Sequence, residues 1–154
     1  MDPTRTSSGP DLEAVRQRRI TLRVSTEHLK NALAAAAVDP TDRSCADILG
    51  PALELQQCVA VHILATERSG GFHSEMLAVA PRLAHDIELL VREHSQLTIM
   101  MSDLVSRSRQ ESTVDNIEAI QRIGARLFPA ISRHLQHGSD LVYEAFESDL
   151  GGET

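Results

Sequence analysis

The stretch that decides the fold is residues 81–107, PRLAHDIELLVREHSQLTIMMSDLVSR. Its apolar residues recur every three or four positions rather than every second one, which is helix periodicity. His94 shares a helical face with Ile87, Leu90, Val91, Leu97, Thr98 and Met101, the positions three, four and seven away. A histidine therefore sits in the apolar stripe of a long helix. Pro81 opens that helix, at a position where its missing N–H is not needed. The polar run 110–113 closes it after about Arg107.

The flanking segments read the same way. Asp11 is a candidate cap for a first helix that runs to about Val38 and is ended by Asp39-Pro40. Leu22, Leu29, Leu33 and Ala36 form its inner line, and its first half is rich in arginine. A second helix begins between Ser44 and Pro51, with Gly50-Pro51 as either a kink or a start. It passes Leu53, Leu55, Val59 and Ile63 and stops near Ser69 at Gly70-Gly71. Residues 72–80 suit a short helical piece. Thr113 or Asp115 caps a fourth long helix reaching about Asp149, bent at Pro129. Residues 1–10 and 151–154 are expected to be disordered tails on one body, 11–150. The fold class is all-α, an up-down-up-down four-helix bundle.

Composition agrees. The chain has 154 residues, one domain's worth, and 42% of them are hydrophobic. Aromatic residues are only 3%, with no Trp, which argues against sheets. The net charge of -7 opposes a phosphate backbone as partner. The basic cluster Arg16, Arg18, Arg19 and Arg23 lacks the interleaved aromatics of a nucleic-acid surface. Cys45 and Cys58 have no CxxC spacing, so neither a zinc knuckle nor a thioredoxin-type motif is available. No signal-type apolar segment opens the chain and no run of 18 apolar residues is evident, so the expected location is cytoplasmic, with no membrane partner.

Seven histidines are then distributed over these helices. His62 shares its face with Leu55, Cys58, Val59 and Ala65, and His134 with Leu127, Ala130, Ile131 and Leu141. Both point inward, as His94 does. His28 is nearly inward, with Val24, Ala32 and Ala35 beside it. His85 is at a boundary, and His73, just after the glycine pair, is expected to be exposed. Each long helix thus offers one imidazole to a small, aromatic-poor core. A buried imidazole without a partner costs about 1–3 kcal/mol. A shared metal ion removes that cost for all four at once, since imidazole is a ready ligand for zinc, copper, nickel and iron.

The constellation resembles the hemerythrin-like, or HHE cation-binding, family. The resemblance covers roughly residues 22–153. It is carried by Glu27-His28, by His62 followed by Gly70-Gly71-Phe72, by Arg92-Glu93-His94, and by His134 with the tail Leu141-Val142-Tyr143-Glu144-Ala145-Phe146 and Asp149-Leu150-Gly151-Gly152-Glu153. The resemblance implies a bundle with a non-haem metal site, usually two irons, bound by histidines and by a His-x-x-x-Glu on the second and fourth helices. It implies dioxygen or nitric oxide binding, peroxide handling, or sensing. The chain departs from that pattern at both expected bridging carboxylates: Thr66 follows His62 by four residues, and Gly138 follows His134 by four. Glu67 stands one residue too late, about 100° further round the helix, and reaches inward only through a local distortion. His137, three residues after His134, can replace a ligand.

The expected metal shell is therefore His28, His62, His94, His134 and His137, with Glu67 as the one nearby acid. The cofactor is a non-haem transition metal: iron by the resemblance, or zinc, copper or nickel by the all-imidazole shell. The expected function is a metal-binding bundle that binds or senses a small ligand such as dioxygen or nitric oxide, rather than an enzyme. The alternatives are a metal-free interaction module, a non-haem metal oxidase or peroxide-handling enzyme, and haem between two facing histidines.

Overall fold

The computed structural model describes residues 12–147. Four long helices and one short one account for nearly all of them: α1 (Leu12–Val38), α2 (Ser44–Glu67), α3 (Phe72–Val79), α4 (Ala84–Ser108) and α5 (Val114–Val142). A 3₁₀ turn, Pro81–Leu83, leads into α4, and a π-helical turn, Tyr143–Glu147, continues α5. No strand occurs among the described residues. The long helices pack in chain order, α1 on α2, α2 on α4 and α4 on α5, and the ring closes through α1 against α5.

The punctuation works largely as the sequence implies. Thr113 is the cap of α5: its hydroxyl accepts the backbone N–H of Asn116 at 3.1 Å. Gly70 adopts φ +77°, a left-handed conformation that favours glycine, and so ends the α2 connection. At Gly71 a Cβ would stand 2.7 Å from the carbonyl oxygen of Ala65, so only glycine lets the chain turn this tightly into α3. Pro51 does not start α2; the helix begins at Ser44 and runs through it. Pro81 opens the 3₁₀ turn, and α4 proper begins at Ala84. The Asp11 cap, the tails 1–10 and 151–154, and the end of the fourth helix near Asp149 lie outside the described residues.

By length and composition alone, residues 44–79 contain one stretch long and apolar enough to cross a membrane, with a mean hydropathy of 1.4 over 18 residues. The helix carrying it gives Ile48, Ala52, Leu55 and Val59 to the bundle interior and leaves Leu53, Val61 and Leu64 outside.

The interior divides in two. The larger apolar cluster includes Leu29, Leu33, Ile48, Leu55, Leu97, Leu104, Ile120 and Leu127. A smaller one, made by Phe72, Met76, Leu83, Ile87, Leu90, Leu141 and Ala145, lies where α3 covers the end of the bundle. His94 falls between Leu90 of the small cluster and Leu97 of the large one. His134 falls between Ile131 and Leu141 in the same sense. The histidines thus form a polar layer between two apolar ones.

Candidate metal centre

Three imidazoles, from α2, α4 and α5, converge in that layer. One ring nitrogen each of His62, His94 and His134 lies within 4.8 Å of the other two. His94 and His134 are buried and His62 is partly so. The rings meet edge to face, with centroids 5.1 Å apart for His62 and His94, 5.3 Å for His62 and His134, and 4.6 Å for His94 and His134.

The outer nitrogens of two of these rings are held by carboxylates from neighbouring helices. Glu67, at the end of α2, takes Nδ1 of His94 in a short hydrogen bond. Glu93 on α4 takes Nδ1 of His134 at 2.7 Å, and its second oxygen takes Nδ1 of His137 at 2.6 Å. An ionised carboxylate only accepts, so each of these Nδ1 atoms carries the proton. In a neutral ring Nε2 is then a bare lone pair. Nε2 of His134 faces Nε2 of His62 at 3.1 Å, while Nε2 of His94 is buried with no hydrogen-bond partner. Nδ1 of His62 is likewise buried and unpartnered.

Electrostatics keep these rings neutral. Burial, followed by repulsion from the other imidazoles, lowers the pKa of both His62 and His94 to about 3. Arg18 adds to the effect at His62. Burial also lowers His134, although the Glu93 bond opposes it. Neutral, buried, unprotonated imidazole nitrogens are able to bind a metal ion. The carboxylate–imidazole pairing is the arrangement that orients metal-binding histidines and raises their basicity.

The remaining sequence expectations divide. His28 does not join the centre. Its side chain is 53% exposed and lies 3.4 Å from Glu54. The inward line of α1 is Leu22, Ser25, Thr26, Leu29 and Leu33, which turns the face of Thr21, Val24, His28 and Asn31 to solvent. His137 is 52% exposed and reaches Glu93 rather than the three-histidine centre. Glu67 does turn inward, but onto the outer nitrogen of His94. His73, expected to be exposed, is buried and stacks on His94 with centroids 5.7 Å apart and planes 4° from parallel. The fourth buried imidazole comes from α3, not α1. Glu93, not singled out as a site residue from the sequence, serves two histidines on a helix 41 and 44 residues away. Only its place beside His94 could have flagged it.

A cavity of about 40 Å³ adjoins the centre, walled by His62, His73, His134, Thr66 and Gly138 among others. A water needs about 10–15 Å³ measured the same way, so this space admits a ligand of a few atoms. Thr66 directs its hydroxyl back to the carbonyls of His62 and Ile63, and a Cβ on Gly138 would meet nothing within 4 Å. The two positions lacking carboxylates thus leave room rather than ligands. No protein-family model, curated protein or solved structure matches the chain.

Proposed function

We propose that the protein holds one divalent transition-metal ion on His62, His94 and His134 and offers its open position to a small ligand in the adjoining cavity. The observation that carries this reading is the pair of carboxylates, Glu67 and Glu93, on the outer nitrogens of His94 and His134. They fix the tautomer that leaves Nε2 bare at the centre, and their two negative charges offset a divalent ion. The donors suit the group. Metal–nitrogen bonds of about 2.0–2.1 Å in a tetrahedral site set neighbouring nitrogens roughly 3.4 Å apart, close to the 3.1 Å between His62 and His134. The unpartnered Nε2 of His94 gains a partner. A bound ion would supply a Lewis-acidic coordination position; three neutral imidazoles and no carboxylate ligand suit zinc, copper, nickel or a single iron.

This reading keeps the hemerythrin-like resemblance as its frame and departs from it in nuclearity. Dioxygen and nitric oxide, the ligands the resemblance suggests, are small enough for the cavity. With Thr66 and Gly138 at the positions where bridging glutamates would stand, an ordinary carboxylate-bridged diiron pair is not expected. The metal-free interaction bundle is the alternative outcome of the test.

The experiment is a titration of metal-stripped protein with zinc, copper, nickel and iron(II), read by thermal melting and by bound metal per chain. One ion per chain and a raised melting temperature are expected, both lost in His94→Ala and His134→Ala. Iron loading followed by air should give no oxo-bridged charge-transfer bands. A melting temperature indifferent to all four metals would leave the metal-free bundle. Two irons per chain with those bands would restore the diiron site.

A further inference from the structure

The cavity beside the three histidines is also walled by Arg18 and Arg19 of α1. Arg19 is half-buried there. One terminal nitrogen donates to the carbonyl of Leu135 at 3.2 Å, while its Nε is buried with no hydrogen-bond partner among the described residues. Burial, and then repulsion from Arg23, push its pKa below the ordinary arginine value. Among the described residues no carboxylate pairs with this guanidinium. Arg18 and His62 line the same cavity, so Arg18 adds a second positive charge beside the centre. A metal at the centre would therefore leave excess positive charge on this side, even with Glu67 and Glu93 on the other.

The cavity has a matching approach. A groove of about 530 Å³ shares Val15, Arg19 and Val142 with it and adds Arg16 and Arg23 on the outside. Arg16 shares its charge with Glu13 at 3.3 Å. In a chain of net charge -7, these arginines line the groove that leads past Arg19. A local basic patch on an acidic protein draws in small anions and raises their local concentration.

From these observations we infer that the open position takes a small planar monoanion of the carboxylate or nitrite type, with Arg19 holding the end turned away from the metal. The inference rests on the metal reading above and adds the ligand's charge and shape. Nε of Arg19, a buried donor with no partner among the described residues, can give a charge-assisted hydrogen bond to one oxygen of such an anion, which leaves its other oxygen, or the nitrogen of nitrite, for the metal. The cavity's size limits the ligand to a few heavy atoms. An amino acid or a nucleotide would not fit.

The test uses the cobalt(II)-loaded protein, whose visible d–d bands report the coordination shell. Formate and nitrite are titrated against the bands of the wild type, Arg19→Met and Arg19→Lys, with melting curves to confirm folding. Cobalt should bind all three chains, since Arg19 is not among its ligands. Formate and nitrite should shift the wild-type bands saturably, and Arg19→Met should weaken both by about ten- to a hundredfold, the worth of a charge-assisted hydrogen bond. Arg19→Lys, which keeps the charge but loses the Nε donor, should fall between; it carries the test if Arg19→Met does not fold. Anion titrations that coincide in the wild type and the folded variants would overturn the role of Arg19. Wild-type bands unmoved by either anion would overturn the ligand class while leaving the metal site intact. A wild type with no cobalt bands at all removes the metal reading and this inference with it.

Discussion

Along α4, Leu97, Met101 and Leu104 belong to one apolar cluster with Ile48, Leu55, Ile120 and Leu127, all nearly or fully buried. One turn before Leu97, His94 meets two other imidazoles, a third stacked ring and a carboxylate instead. The same helices build both regions with the same periodicity. The aliphatic half buries side chains that need no partner, and each contributes about 1.5–3 kcal/mol by leaving water. The histidine layer buries groups that do need partners and leaves two ring nitrogens without any among the described residues. In the proposed reading, stability and metal binding are held by different layers of one bundle, and each should respond to substitution separately.

The largest expected effect lies in the aliphatic half. Leu104→Ala, at a fully buried position, should cost about 2–5 kcal/mol of unfolding free energy, measured by denaturant titration. The metal-induced rise in melting temperature should survive it. If that rise disappears while the protein remains folded, the two layers are not separable.

The next effect belongs to the histidine layer and depends on pH. The pKa values of His62 and His94 are about 3 in the fold, against an ordinary value of 6.5. The unfolded chain therefore binds more protons below pH 6.5. Their contribution is fully present above pH 6.5 and is lost as pH falls from there toward 3, by about 1.4 kcal/mol per pH unit for each ring. Metal-free protein should show this acid slope in its stability, and His94→Leu should flatten it. A wild-type stability flat between pH 7 and pH 4.5 would contradict the neutral, buried layer. Metal should steepen the slope, since its ligands must stay unprotonated.

How much of this was legible in the sequence follows the same division. The helices and the inward faces of His62, His94 and His134 could be read because apolar neighbours at three-, four- and seven-residue spacing fix which side of a helix is buried. His28 could not be read correctly: Val24, Ala32 and Ala35 gave its face an apolar look, and the better inward line of Leu22, Leu29 and Leu33 lies beside it. His73 depends on how the chain turns after Gly71 and lays α3 across the bundle end, which no local periodicity encodes. The carboxylates Glu67 and Glu93 act across helix pairs, at separations of 27 and 41 residues, so only packing reveals them.

A smaller effect isolates those carboxylates. Glu93→Gln keeps the shape but removes the charge behind His134. It should weaken metal binding on the order of 10–100-fold, read by competition with a chromophoric chelator, with little change in the melting of the metal-free protein. Unchanged affinity would mean that Glu93 serves the fold alone. The smallest effect is at His28. His28→Ala should leave metal affinity unchanged and stability within about 0.5 kcal/mol. A lost metal ion there would return α1 to the centre and break the distinction between its outer face and the layer.

The most direct test of the central claim is X-ray absorption of the zinc-loaded wild type. Three imidazoles and one further light atom at about 2.0–2.1 Å from a single zinc, with no metal–metal scattering, is the result the account predicts. A shell of fewer than three imidazoles, or a second metal at bridging distance, would contradict it.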